Sequence, residues 1–250
     1  MFQRYIIRPL DHLGSVLILT VRIVIAIVST QGFFKKVIDQ CYLLGIRSFF
    51  ATVVTAMFIG MVFTLQIINE FEKFGAKFLI GGIIGLAVWR ELGPLLTAVV
   101  VSGRVGAAIS SEIATMKVSE QIEALESLSL DPVKVLLMPR VVATTIMLPL
   151  LVCVADLVGF FSGMLVSKIV GNINQFVYLN SAQVMLTYYD ILGGLIKAVV
   201  FGFALSVISS YFGYYSSAGA KGVGKATTRS VVVSLMVIFV LNYFLTMVLF

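Results

Sequence analysis

Long apolar runs separated by short polar segments recur along the whole chain. Five of these runs are long enough to cross a bilayer as helices, at about 20 residues per crossing. They fall near 48–69, 78–101, 141–167, 191–213 and 230–249. Only helices or closed barrels satisfy every backbone polar group in lipid. The pattern therefore predicts an all-α integral membrane protein with five transmembrane helices, supplemented by an N-terminal interfacial helix and a cytosolic coupling helix.

A sixth apolar run, 13–29, differs from the others. It is shorter, has Arg22 near its middle and is flanked by basic residues on both sides. We interpret residues 1–40 as an amphipathic helix lying in the membrane interface, with its basic side chains reaching the headgroups. Residues 41–250 then form a domain of five membrane spans. The alternative, in which residues 13–29 span the membrane, stays open at this point.

The distribution of basic residues predicts the orientation of the spans. Lys and Arg are concentrated before the first span and in the 214–229 loop, and cytosolic loops carry such an excess. Both segments are therefore predicted to be cytosolic. The 102–140 connection is separated from each of them by two spans, so it is predicted to lie on the same side of the membrane. With the N-terminus inside, five spans leave Phe250 on the outer side.

Composition narrows the class of function. Of 250 residues, 60% are hydrophobic and 12% are charged, which leaves too little polar sequence for a soluble catalytic domain. The net charge of +6 comes from basic residues at helix ends, so it indicates topology rather than nucleic-acid binding. His12 is the only histidine, and Cys41 and Cys153 fall in separate apolar contexts. We therefore expect no metal site, no disulfide and no cofactor held by this chain.

The most unusual element is Arg90-Glu91-Leu92-Gly93-Pro94, within the second apolar run. A charged residue at bilayer mid-depth costs about 3 kcal/mol on insertion scales, and Pro94 frees the carbonyl of Arg90 because proline has no N–H. Adjacent helical residues point about 100° apart, so Arg90 and Glu91 each require a separate partner. The combination predicts a cavity for an amphiphile with a charged headgroup; a polar cluster that pins helices together is the alternative. The candidate cavity residues are Arg90, Glu91, Pro94, Gln66, Phe63 and Ile67.

An acidic segment, about 118–130, lies in the 102–140 connection. Its apolar residues, with glutamates on the other side, follow a helical spacing at Val118, Ile122, Leu125 and Leu128. Ser119 is placed to cap the start of a helix, and Asp131-Pro132 to end it. We interpret this segment as a coupling helix that docks on a basic groove of a cytosolic partner. A merely solvated loop is the alternative.

Two further ions, Asp156 and Lys197, lie inside predicted spans. Counting 1.5 Å per residue along each helix gives them similar depths. We predict a structural ion pair between them, with a proton relay as the rival interpretation.

Glycine patterns add two further interpretations. Gly81/Gly85 and Gly159/Gly163 have the small-xxx-small spacing that lets helices approach closely, which we assign to packing within the bundle rather than to a dimer seam. The segment 219–226 has the glycines and lysine of a phosphate loop, but Ala226 stands where Mg²⁺ binding requires Ser or Thr. We interpret that segment as a flexible cytosolic turn, and we place no ATP hydrolysis in this chain.

Several of these motifs together resemble the MlaE-type permeases. The matching residues are Arg90-Glu91-Leu92-Gly93-Pro94, Ser102-Gly103-Arg104-Val105-Gly106, Glu112-Ile113, Met116-Lys117-Val118, Glu120-Gln121-Ile122, Asp131-Pro132, Pro139-Arg140 and Gly222-Val223-Gly224-Lys225-Ala226-Thr227-Thr228. The resemblance covers roughly residues 45–250. One departure is Ser127-Leu128-Ser129-Leu130 before Asp131, where the family pattern has a glycine.

The resemblance implies the integral subunit of an ABC transporter that moves phospholipid between envelope membranes and so maintains outer-membrane lipid asymmetry. It implies a multi-pass homodimer in the inner (cytoplasmic) membrane, with the N-terminus cytosolic and the C-terminus periplasmic. Two cytosolic ABC ATPase subunits would bind ATP and Mg²⁺, and a hexameric MCE-domain protein would sit on the outer side; in some systems a STAS-domain protein joins the ATPase. Lipid would bind in a central cavity built from the first, second and fifth spans. The residues assigned to ATPase coupling are Glu112, Glu120, Gln121, Glu123 and Asp131.

Two other classes of function compete with this one. An ion-coupled secondary transporter would need Asp156, Lys197 or Glu91 to cycle a proton, and paired inverted repeats are not visible in the sequence. An intramembrane lipid-modifying enzyme would need a catalytic constellation, which a single histidine near the N-terminus does not supply. We therefore expect a permease that is not itself an enzyme.

Overall fold

The computed structural model describes residues 2–29 and 33–250, with side chains described from residue 14 onward. All regular elements in this part of the chain are helical. In chain order they are the N-terminal helix (Phe2–Ser29), the first span (Phe34–Lys73), the second span (Lys77–Val118), the acidic helix (Gln121–Ser127), the third span (Val133–Ile169), the connecting helix (Gln175–Met185), the fourth span (Tyr188–Tyr214) and the fifth span (Ala220–Leu249).

The five predicted spans are confirmed. Each predicted apolar run lies inside a helix that is long and apolar enough to cross a membrane. The helices extend beyond the apolar runs, since a helical backbone bonds its own polar groups in lipid and in water alike. The chain is therefore a multi-pass, all-α membrane protein. The connecting helix joins the third span to the fourth.

The N-terminal helix buries one narrow stripe. Leu19, Ile23 and Ala26, at helical spacing, are almost inaccessible, whereas Leu17 and Val28 are largely exposed. Its described apolar stretch is shorter than a full span. Its position in the membrane interface stays a prediction.

The spans contain π-helical turns at Tyr42–Ile46, Val88–Leu92, Ser102–Gly106 and Val133–Leu137. A π turn bonds each N–H to a carbonyl five residues back, and such turns are frequent at functional sites. In the turn Val88–Leu92, the N–H of Gly93 bonds to the carbonyl of Val88. Pro94 follows, and its missing N–H interrupts the ladder at the same place. The sequence motif around Arg90 therefore lies on a locally widened helix.

The chain divides into two compact units. The first comprises Met1–Leu44, Ser102–Ile146 and Gly202–Val237, and the second comprises Gly45–Val101, Met147–Phe201 and Ile238–Phe250. All three segments that the charge bias assigns to the cytosol fall in the first unit. The unusual Arg90–Pro94 element falls in the second.

Small residues bring helices together in the second unit. A Cβ added at Gly60 would collide with the backbone of Gly159, and one at Gly81 would collide with the backbone of Tyr178. At Gly163 a Cβ would meet the hydroxyl of Thr64 at 2.5 Å. The assignment of Gly81, Gly159 and Gly163 to packing within the bundle is confirmed, because each of them contacts another helix of the chain.

The predicted coupling helix over 118–130 is too long. The second span runs on to Val118, and the hydroxyl of Ser119 donates to the carbonyl of Thr115 at 2.9 Å. Ser119 therefore closes the second span instead of opening the next helix. Glu120 then adopts a left-handed conformation with φ 58°, and the acidic helix covers only Gln121–Ser127.

Asp131 also has a different local role from the predicted one. Its carboxylate accepts the N–H of Val133 at 2.9 Å, which caps the start of the third span. The acidic helix has already ended at Ser127, and Ser129 has a positive φ of 58°.

The prediction of a flexible turn over 219–226 is wrong. Gly219, with φ 83°, makes the turn, and the fifth span begins directly after it at Ala220. Gly222 and Gly224 therefore lie in the first turns of a long helix.

Candidate functional site

The side chains of Arg90 and Glu91 bond to different partners, as the sequence predicted. The guanidinium of Arg90 donates to Oδ1 of Asp190 through Nε at 2.8 Å and through Nη2 at 2.7 Å. The Asp190 side chain is only 3% exposed, whereas that of Arg90 is 37% exposed. The other N–H groups of the guanidinium have no acceptor in the described part of the chain. Arg90 is thus anchored on one edge and available for a hydrogen-bond acceptor on another.

Asp190 is held by the start of the fourth span. Its second oxygen, Oδ2, accepts the backbone N–H of Thr187 at 2.7 Å. This is the acidic half of a capping box, in which the third helical residue bonds back to the N–H of the capping residue. The pattern Thr187-Tyr188-Tyr189-Asp190 carries that signal in the sequence, although Asp190 was not among the predicted site residues.

Lys197 is the partner of Glu91. Its ammonium donates to Oε1 of Glu91 at 2.7 Å and to the hydroxyl of Thr246 at 2.8 Å. The third donor goes to the backbone carbonyl of Arg90 at 3.0 Å. All three N–H groups of a fully buried lysine are therefore satisfied.

The freed carbonyl predicted from Pro94 is confirmed, and it has a partner. The carbonyl of Arg90, four residues before Pro94, is the one that accepts from Lys197. In a π turn the carbonyl five residues back, that of Trp89, is also deprived of its donor. Gly194 approaches that carbonyl so closely that a Cβ there would collide with it. The π turn and the proline together leave these two carbonyls without backbone donors, and the fourth span lies against both.

The fifth span completes the site. The amide of Asn242 donates to Oε2 of Glu91 at 3.0 Å, and the hydroxyl of Thr246 lies 3.0 Å from Oε1. Asn242 and Thr246 are four residues apart and so lie on one helix face. They could have been found as two polar residues at i,i+4 spacing in the largely apolar last half of the span, residues 235–249.

Together these side chains form what we name the charged cluster: Arg90, Glu91, Asp190, Lys197, Asn242 and Thr246. It contains two cations and two anions, so its formal charge balances. Glu91 is 34% exposed, so one carboxylate and one guanidinium remain accessible beside a buried ammonium. Charges in a low-dielectric setting interact strongly with whatever approaches them. The arrangement can hold a charged group that brings its own apolar chains.

The predicted ion pair between Asp156 and Lys197 is wrong, since Lys197 pairs with Glu91. Asp156 is buried, and its Oδ1 has no hydrogen-bond partner among the described residues. That oxygen lies directly over Gly93, where a Cβ would collide with it. Counting residues along a helix gives the depth of a side chain in the membrane but not the direction in which it points. Two side chains at equal depth on two helices therefore need not face each other.

An apolar groove of about 320 Å³ lies in the same unit, lined by Phe58, Ile59, Val62, Phe63, Gln66 and Leu92. Two of the candidate cavity residues, Phe63 and Gln66, are in this lining. Ile67 is not; it packs against the buried core of the unit. Arg90, Glu91 and Pro94 do not line the groove, although Leu92 is next to Glu91 in the chain. The structure therefore divides the candidate residues between an apolar groove and the charged cluster.

The candidate coupling residues lie in the first unit. Glu120, Gln121, Glu123 and Asp131 are all exposed. Glu112 is half-exposed, and its carboxylate pairs with the buried guanidinium of Arg140 at 3.2 Å.

Beside these residues is an apolar groove of about 290 Å³. Its lining comes from the second span, the acidic helix, the loop after it and the third span: Met116, Gln121, Ala124, Leu125, Leu128, Val135 and Leu136. Such a surface suits a partner that inserts an apolar side chain into the groove and places basic side chains against the surrounding carboxylates. Within the described residues, no group of three metal-ligating side chains comes together.

Comparison with known proteins gives consistent matches. The Permease MlaE family model matches residues 37–248. A probable ABC transporter permease protein of Rickettsia typhi is 44% identical over 225 residues, which cover 90% of this chain and 87% of the relative. One from Synechocystis sp. is 42% identical over 216 residues, covering 86% and 82%. The chloroplastic protein Trigalactosyldiacylglycerol 1 of Arabidopsis thaliana is 38% identical over 244 residues, covering 98% of this chain and 69% of the relative.

Proposed function

Since the chain belongs to the MlaE family and is an ABC transporter permease, we propose that the substrate it moves is a phospholipid or a related lipid. The lipid passes between the inner membrane and an MCE-domain protein, and a separate cytosolic ATPase supplies the energy. The observation that carries this proposal is the charged cluster, which lies on membrane spans and combines a half-exposed guanidinium with satisfied buried ions.

The chemistry of the charged cluster and of the apolar groove around Phe63 and Leu92 supports a lipid substrate. Some N–H groups of Arg90 have no acceptor among the described residues, and such groups bind phosphate oxygens well. The groove around Phe63 and Leu92 is almost wholly apolar, as acyl chains require. Lys197, whose three donors are already used, contributes positive potential rather than a direct bond. The name of the Arabidopsis relative is itself that of a lipid, which favours a lipid as the substrate in general.

The proposed assembly follows the family. It is a homodimer in the inner membrane, with its N-terminus cytosolic and its C-terminus periplasmic. Two ATPase subunits dock on the exposed carboxylates near the acidic helix, a hexameric MCE-domain protein docks on the outer side, and in some systems a STAS-domain protein is added. An ion-coupled transporter that cycles a proton on Glu91, Asp156 or Lys197 is the rival, and membership of an ABC permease family favours ATP as the energy source.

The neutral double variant Glu91→Gln/Lys197→Met tests the role of the charged cluster. It removes one cation and one anion together, so neither charge is left buried alone. If the cluster binds the headgroup, transport of phospholipid by the reconstituted complex is lost, and the lipid that copurifies falls severalfold. The ATPase should remain bound in this variant.

The matched control is Glu70→Gln/Lys73→Met, which removes an exposed ion pair at the end of the first span. Transport should be unchanged in this control. Normal transport in the Glu91/Lys197 variant would show instead that this ion pair only pins helices together. Lipid content is measured by mass spectrometry of the purified complex.

A second prediction concerns the coupling to the ATPase. Glu123→Lys places a cation in the exposed acidic face next to the apolar groove, and we expect it to weaken ATPase association at least tenfold by like-charge repulsion, about 1.4 kcal/mol or more. Copurification of the ATPase with the tagged permease measures the effect. Glu70→Lys, an equal charge change on an exposed side chain of the second unit, should leave association intact. Equal ATPase recovery with both variants would remove the acidic helix from the interface.

A further inference from the structure

One aromatic ring contacts both cations of the charged cluster. The ring centroid of Phe250 lies 4.7 Å from Cζ of Arg90 and 5.0 Å from Nζ of Lys197. An aromatic face attracts cations through its quadrupole, and the attraction grows when the cation is shielded from water. Arg90 and Lys197 repel each other, so a ring that attracts both cations lowers the cost of keeping both in place.

The ring itself is held in position from two sides. The N–H of Phe250 bonds to the carbonyl of Thr246 at 3.0 Å, which continues the backbone ladder of the fifth span. Opposite the ring is Gly193 of the fourth span, where a Cβ would lie 2.5 Å from Cζ of Phe250. Only a glycine leaves room for the ring at this distance. The position of the Phe250 ring is therefore set by both the fourth and the fifth span.

We propose that Phe250 is the positioning residue of the headgroup site: its ring fixes the guanidinium of Arg90, so that the unpaired N–H groups present one defined edge to a phosphate. Stacking on a ring occupies the face of a guanidinium and leaves its N–H edges for hydrogen bonds. One edge is already taken by Asp190. A long side chain that is held before the ligand arrives does not lose its rotamer freedom on binding.

This inference rests on the proposed function and adds a substrate requirement to it. The group that the site selects is a phosphate carried on a lipid, since the bond is made by the guanidinium edge. A lipid without phosphate gains nothing from the placement of Arg90. Phe250 should therefore affect phosphate-bearing lipids and leave neutral lipids unaffected.

The only tryptophan, Trp89, is next to Arg90 and reports on the site. The full-length chain in non-ionic detergent is titrated with phosphatidylglycerol brominated on its acyl chains, and with diacylglycerol brominated in the same way. Quenching of Trp89 gives the two affinities. We expect Phe250→Leu to weaken phosphatidylglycerol binding roughly five- to thirtyfold and to leave diacylglycerol binding unchanged.

Three companion variants make the test specific. Phe250→Tyr keeps the ring and should bind phosphatidylglycerol like the unsubstituted protein. Gly193→Ala should reproduce the Phe250→Leu defect from the neighbouring span, and combining the two should add little, because both act on one ring. Phe239→Leu, on an exposed ring of the same span, is the control and should change neither affinity. If Phe250→Leu unfolds the protein, fluorinated phenylalanines at position 250 weaken the quadrupole without changing the shape, and affinity should fall stepwise.

The outcomes distinguish failure of the proposed phosphate site from failure of the positioning role of Phe250. If the unsubstituted protein shows no preference for phosphatidylglycerol over diacylglycerol, the phosphate site itself is wrong, and this inference falls with it. If the preference exists and Phe250→Leu retains it, Phe250 does not position Arg90. Equal loss for both lipids would indicate a merely structural ring. Displacement of brominated phosphatidylglycerol by inorganic phosphate would show that the site takes a free anion rather than a lipid.

Discussion

Lys197→Met is expected to lower the free energy of unfolding by up to about 3 kcal/mol, the lower end of the cost of breaking a buried ion pair, because the Glu91 carboxylate that is left alone is 34% exposed. The ammonium is fully buried and bonds to Glu91 at 2.7 Å. Methionine has a similar shape but provides none of the three donors. The variant leaves a carboxylate without its counter-ion, and it leaves the carbonyl of Arg90 without a donor. Unfolding in mixed micelles, followed by the fluorescence of Trp89, measures the change.

Adding Glu91→Gln to this variant should restore much of the lost stability. Glutamine carries no charge and keeps an oxygen for the amide of Asn242. Rescue should remain incomplete, because the carbonyl of Arg90 still lacks its donor, at a cost of about 1–3 kcal/mol. Lys168→Met, on an exposed lysine, is the matched control and should change stability little. Losses that simply add in the double variant would refute the Glu91–Lys197 pair.

Gly60→Ala should be the most damaging of the glycine substitutions at helix contacts, together with Gly81→Ala. In both, the new methyl group would overlap backbone atoms of another helix, which cannot rotate away as a side chain can. Forcing extra volume into a packed contact costs about 1–3 kcal/mol and occasionally more, and we expect the upper end or beyond. Thermal unfolding of the purified variants measures the loss.

Gly224→Ala makes the same chemical change in open space, since no heavy atom lies within 4 Å of the added Cβ. Alanine favours a helix over glycine, so this control should be neutral or stabilised by up to roughly 1 kcal/mol. Equal stability of Gly60→Ala and Gly224→Ala would contradict the close contact between the first and third spans.

The five spans could be predicted because hydropathy and length are properties of a linear sequence. Each span requires about 20 apolar residues whatever its neighbours are. The same holds for two local features of the charged cluster. The divergence of Arg90 and Glu91 follows from helical geometry, and the free carbonyl follows from the missing N–H of Pro94. Both expectations are met by bonds to Asp190 and Lys197.

Local signals misled where one residue could serve either of two helices. Ser119 has the side chain of a helix cap, and it closes the second span where the sequence suggested the start of the next helix. Asp131 could end one helix or begin another, and it caps the third span. In each case the choice depends on how the neighbouring helices pack, which the sequence pattern does not contain.

Hydropathy and local backbone chemistry along the chain specify the number of spans, the positions of the charges and the carbonyl that Pro94 leaves unbonded. The tertiary structure alone decided the partners: Lys197 faces Glu91 instead of Asp156, and Asn242, Thr246 and Phe250 come from the end of the chain to complete the site. The physical reason is that a count of residues gives depth along a helix, whereas an ion pair also needs the rotation of each helix and the distance between axes. Those two quantities are set by the contacts of many side chains at once, with glycines such as Gly194 fixing how closely the backbones approach.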